Sequence, residues 1–104
     1  MARKTPMELA EAVLLPQIKL AASLRLDMFA KTRQYDNILS ACTYATSTVP
    51  KFQQEGQYTV EARDATWAKL YEIWHAVIVG ERPVLQSFAE IEPGLPELAW
   101  PNEP

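Results

Sequence analysis

Two side chains are the natural places to look for covalent chemistry, and each occurs once: Cys42 and His75. They stand 33 positions apart (75 − 42), so no local pattern joins a thiol to a base, as an activated nucleophile requires. Glu61 with Asp64, and Glu72 with His75, are i, i+3 pairs that a helix would bring together. Such pairs are ordinary on a solvated helix face. A metal needs several converging ligands, and one His and one Cys do not supply them. No phosphate loop, nucleophile elbow or zinc-hydrolase pattern occurs. The reading is a non-enzymatic chain without metal or cofactor, in which Cys42 is a buried structural thiol.

The other chemistry available is recognition. Trp67, Tyr71, Trp74 and Ile78 recur at i, i+4, i+7, i+11, one ridge of a helix and typical hot-spot chemistry, although the same ridge would serve as core. Leu20, Leu24 and Met28 recur every four residues, nearly opposite a second stripe of Ile18, Ala22, Leu26 and Phe29. A surface helix carries one apolar stripe; two mean either burial or a shared face with a partner or a second copy. Trp100, between Ala99 and Pro101, completes the candidate partner-binding set. Two readings of it stay open: it folds back to gain burial, or prolines hold it extended for a groove on a partner.

Helices are needed to position these residues. Residues 5–34 are rich in strong helix formers, with Thr5, Pro6 and Glu8 as cap, first-turn proline and capping-box acid. Pro16 predicts a break near Leu15 and a cleaner helix over 16–34. Asp36 is the expected cap of a short helix in which Ile38, Cys42 and Ala45 share a face. The Thr46–Pro50 run then breaks the chain, with Phe52 pinning the turn to the core. The strongest helix runs from about Gly56 to Val79, stopped by Gly80. Its expected faces are Tyr58, Ala62, Ala65, Ile73 and Ala76 on one side and the aromatic ridge on the other, with Leu70 and Val77 between. Five prolines follow Gly80; Ser87 and Glu90 predict one capped turn, and the remainder should be extended.

The fold expected is therefore all-α, a single domain of 104 residues. It is a small helical bundle with a kinked amino-terminal helix: segment 1–15, helical core 16–83 and a proline-rich tail 84–104. Hydrophobic residues make up 48% of the chain and charged ones 22%, the balance of an ordinary globular domain. No run approaches the ~18–20 apolar residues of a membrane span, and a single cysteine suits a reducing cytosol. Residues 1–34 carry six Lys/Arg against three Asp/Glu, and residues 35–104 four against ten. That mildly dipolar, net −3 chain lacks the concentrated basic face of a nucleic-acid binder.

One resemblance adds to this reading. Tyr35-Asp36, Ile38 to Cys42, Tyr44-Ala45, Pro50-Lys51-Phe52, Glu55-Gly56, Arg63-Asp64-Ala65 and Trp67, with Leu95-Pro96 and Trp100-Pro101, resemble small proteins encoded beside tail-fibre and tail-tip genes of tailed bacteriophages. The likeness spans residues 33–101, and the Trp-Pro ending is similar to that of tail-fibre assembly proteins. It implies a tail-fibre or tail assembly chaperone that binds a viral structural protein in the host cytoplasm. The alternative it implies is a tail or fibre adaptor retained in the virion. It carries over no catalytic residue.

Overall fold

The computed structural model describes Thr5, Glu8 and residues 10–104. Among them every regular element is helical, so the fold is all-α. Thr5 and Glu8 form the expected capping box: Glu8 N–H donates to Thr5 Oγ1 (3.1 Å) and Thr5 N–H to Glu8 Oε2 (3.2 Å). The expected first-turn proline, Pro6, lies outside the described residues. Near Leu15 the helix changes type. A π-helical turn, Ala10–Leu14, runs into α1, Leu15–Lys31. Pro16 follows directly on the π-helical turn; lacking an N–H and crowding the carbonyl four residues back, it is the residue around which the helix changes type.

α1 stops in a reversal built on Gln34. Tyr35 N–H reaches back to Ala30 O (3.3 Å) and Gln34 N–H to Lys31 O (3.1 Å), with Gln34 at φ 71. This is the left-handed cap that glycine usually supplies; here a glutamine takes it. The short helix α2, Ile38–Cys42, is capped one residue later than expected. Asn37 Oδ1, not Asp36, accepts from Ser40 N–H (2.8 Å), and Asp27 of α1 accepts from Ile38 N–H (2.9 Å). Two side chains thus satisfy amides that a helix start leaves orphaned. A 3₁₀ turn, Thr43–Thr46, follows.

The long helix α3, Pro50–Ile78, starts six residues before the expected Gly56. Pro50 occupies its first position, where a fixed φ favours the helix, and Val49 is the last extended residue. Phe52 is exposed rather than pinned in the core, and meets Tyr44 edge-on at 5.8 Å. The two added turns bring Gly56 under the 3₁₀ turn, where a Cβ would collide with the backbone of Tyr44 and Ala45. Only glycine permits that approach. At the far end Gly80 (φ 81) closes α3, with Glu81 N–H donating to Ala76 O (2.9 Å).

α1 and α3 pair as an antiparallel hairpin. Ile18 and Ala22 pack with Leu70, Ile73, Trp74 and Val77, while Leu26 and Ala30 pack with Ile38, Ala41 and Trp67. The buried row of α3 is Glu55, Thr59, Ala62, Thr66, Leu70, Ile73 and Val77, one stripe of three- and four-residue steps with Gly56 and Trp74 buried beside it. It runs along the ground between the two expected faces, so Tyr58 and the aromatic ridge are its flanks. The reason is that α1, α2 with its 3₁₀ turn and the strap all meet α3 on the same side, so its buried set is one stripe wide and the rest faces solvent.

The third layer is not a third long helix. After Gly80 the chain makes 3₁₀ turns at Phe88–Glu90 and Glu92–Gly94, then runs back along the hairpin as a strap over residues 85–102. Neither half of the expected capping box is made: Ser87 gives no side-chain cap, and Glu90 accepts from Gln86 N–H (2.8 Å) rather than from Ser87 N–H. Leu85, Ile91 and Leu95 are buried against the hairpin, so the core is not confined to residues 16–83. The molecule measures 58 × 25 × 20 Å, so its long axis extends beyond the roughly 44 Å of α3 at 1.5 Å per residue.

Candidate functional site

The two stripes of α1 have different fates. Ile18, Ala22, Leu26 and Ala30 are spent on the hairpin and are almost wholly buried. Leu20, Leu24 and Met28 stand on the opposite side with 62%, 53% and 64% of their surface exposed. Val13, 57% exposed, lies on the same line seven residues before Leu20. The sequence reading missed Val13 because Pro16 separated it from the helix, yet its i, i+7, i+11, i+15 relation to the others was legible.

The remaining expected partner-binding residues divide. Tyr71 is exposed, with the Lys19 ammonium 5.9 Å from its ring. Trp67 is half-buried between the two core clusters. Trp74 is core, 6% exposed, and offers no surface to a partner. The ridge is therefore not one platform: it wraps from core to solvent, because its residues lie well to one side of the buried stripe.

Trp100 folds back. It stacks on Phe29 of α1 (ring centroids 4.3 Å apart, 18° between planes) and donates from Nε1 to Thr32 Oγ1 (2.8 Å). The Arg33 guanidinium lies 5.1 Å from its ring centre, within cation–π reach. Around it the strap is held by side chains of the hairpin. Arg25 Nη2 donates to Pro96 O (2.7 Å), and Ala99 N–H donates to the Tyr58 hydroxyl (3.0 Å). Arg33 donates to Asn102 Oδ1 (3.0 Å) and to Asn102 O (2.7 Å), and Asn102 Nδ2 donates to Gln54 Oε1 (3.1 Å).

Beneath this contact lies the one buried carboxylate of α3, Glu55. Arg33 Nη1 donates to its Oε2, and the Tyr35 hydroxyl donates to its Oε1 (2.8 Å). Burial, reinforced by the hydrogen bond to Glu55, holds the Tyr35 phenol well above its ordinary range. Arg33, Glu55 and Asn102 were invisible to sequence reasoning as a group, since they lie 22 and 69 positions apart. The one signal was a Glu-Gly pair inside a helical run.

Cys42 is partly buried, and His75 is exposed on the last turn of α3. The acidic members of the i, i+3 pairs have neighbours of their own. Glu61 faces Gln57 (3.4 Å), Asp64 takes Arg63 (2.9 Å), and Glu72 takes Lys69 (3.3 Å). Among the described residues, no group of three His, Cys, Asp or Glu side chains could hold a metal ion. No described helix is long and apolar enough to cross a membrane.

No family model, curated protein or solved structure matches the chain.

Proposed function

We propose that this chain is a non-enzymatic assembly factor of a tailed bacteriophage, a tail-fibre or tail assembly chaperone that binds a viral structural protein through the outer face of α1. The observation that supports it is the exposed row Val13, Leu20, Leu24 and Met28, opposite the row already used by the hairpin. A helix face of this kind suits a groove on a partner, read as spaced apolar anchors. Bound there, it shields apolar surface of the client until the client folds or assembles. The resemblance of residues 33–101 to phage tail-module proteins supplies the class of client. On this reading the chain acts in the host cytoplasm.

Leu24→Glu tests the face. The exposed site predicts little change in folding stability, within about 0.5 kcal/mol, together with loss of capture of the co-expressed tail-fibre protein. Undiminished capture by the folded variant would sink the reading. Loss of a self-associated species in sedimentation, with capture intact, would reassign the row to contact between copies. Mass spectrometry of purified particles then separates a chaperone, absent from the particle although required for infectivity, from a tail adaptor present at stoichiometric copy number.

A further inference from the structure

A different face of α1 carries a second recognition surface, already occupied. Arg25 and Phe29 of α1 and Arg33 just past its end recur at i, i+4, i+8, and Tyr58 and Gln54 of α3 stand across from them. Together they meet the strap by the means that a receptor groove uses for a proline-interrupted peptide. The arginines donate to two of its backbone carbonyls, Pro96 O and Asn102 O. Phe29 stacks on its tryptophan, and Tyr58 accepts one of its amides. Gln54 and Arg33 read the Asn102 side chain at both of its ends. Leu95, where this stretch begins, has φ −79 and ψ 154, the polyproline conformation.

The strap has two unequal parts. Leu85, Ile91 and Leu95 are buried in the core. Beyond them, Ala99 and Pro101 are exposed and Leu98, Trp100 and Asn102 are only partly covered. No backbone-to-backbone bond ties residues 96–102 to the hairpin; side chains and rings alone do so. The first part anchors, and the second is seated as a ligand is seated.

We propose that the groove between α1 and α3 at the Arg33 end is a peptide-recognition site whose resident ligand is the chain's own residues 96–102. Its outside ligand is a partner segment of the same chemistry: extended, proline-interrupted and carrying a Trp-Pro-Asn step, which displaces the resident one. The proposal is independent of the outer row of α1, which lies on another face.

The probe is a fluorescein-labelled peptide of residues 94–104, GLPELAWPNEP, titrated by anisotropy into the full-length chain. In wild type the tethered copy competes. In full-length Trp100→Ala that competitor is weakened, and the peptide should bind at least ten-fold more tightly. A probe with its tryptophan replaced by alanine should lose at least ten-fold. Absence of binding to the folded variant, or equal binding of both probes, overturns the proposal. Asn102→Ala keeps the Phe29 stack while losing the bonds of its side chain to Arg33 and Gln54, and a several-fold gain is expected there. That variant decides if Trp100→Ala does not fold, and no gain in it refutes the site. If both variants lose their helical circular dichroism, the strap is an inseparable part of the core and the proposal fails.

Discussion

The two ends of the hairpin are held by different physics. At the end where α1 begins and α3 finishes, Ile18, Leu70, Ile73, Trp74, Val77, Leu85 and Ile91 exclude water by apolar burial, which is strong and non-directional. At the other end, Glu55 is buried beneath Arg33, Tyr35, Asn102 and Trp100, each joined to its neighbour by a directed bond or a ring contact. An apolar core tolerates a small shift of its members. A buried carboxylate does not, because a shift that parts it from Arg33 leaves an uncompensated charge. The apolar end contributes bulk stability, while the polar end sets the register of α1, α3 and the strap.

The largest effect should come from breaking the polar end. Glu55→Ala strands Arg33 and leaves the Tyr35 hydroxyl without its acceptor, and should cost about 3–5 kcal/mol in chemical denaturation. A cost under about 1 kcal/mol would mean that the pair is an ornament and that the two ends do not differ. At the apolar end, Leu70→Ala opens a cavity beside Ile18 and Ala22 and should cost roughly 2–5 kcal/mol. The two variants should differ in kind: adding Arg33→Ala should recover part of the Glu55→Ala loss, whereas Leu70→Ala should add to either independently.

Alkaline titration sharpens the contrast. The folded state holds the Tyr35 phenol above its ordinary value of 10.0. Above that pH the unfolded chain releases this proton while the folded chain keeps it, so the unfolded state binds fewer protons and stability falls as pH rises. The stabilising contribution is complete below pH 10 and is lost above it. Denaturation midpoints between pH 9 and 11, compared with Tyr35→Phe, should show a shallower decline in the variant. Identical slopes would disconnect Tyr35 from the polar end.

The smallest effect concerns a polar atom at the junction of the two regimes. Thr66 Oγ1 is buried in the hairpin without a hydrogen-bond partner, and such an orphan costs free energy that an isosteric methyl does not. Thr66→Val should raise stability by about 1 kcal/mol, read from the denaturation midpoint at unchanged slope. A loss of stability would show that the hydroxyl is satisfied in solution and that the junction is polar.

The sequence by itself determined what depends on neighbours along the chain. The Thr5–Glu8 box, the stop at Gly80 and the all-α class follow from local hydrogen bonding and propensity, and they stand as expected. The double stripe of α1 was equally legible, because a period near four residues is a property of one helix. Which stripe would be buried, and that Leu70 and Val77 rather than the aromatic ridge mark the centre of α3, depended on the side from which each helix is covered. Only tertiary structure decided that Asp27 of α1 joins the cap of α2, that Gly56 lies under the 3₁₀ turn, and that Trp100 returns to Phe29. Arg33 and Glu55 show the reason most plainly. A charged residue in a helical run reads as solvent-facing until a partner 22 positions away arrives to make its burial affordable, and nothing local records that meeting.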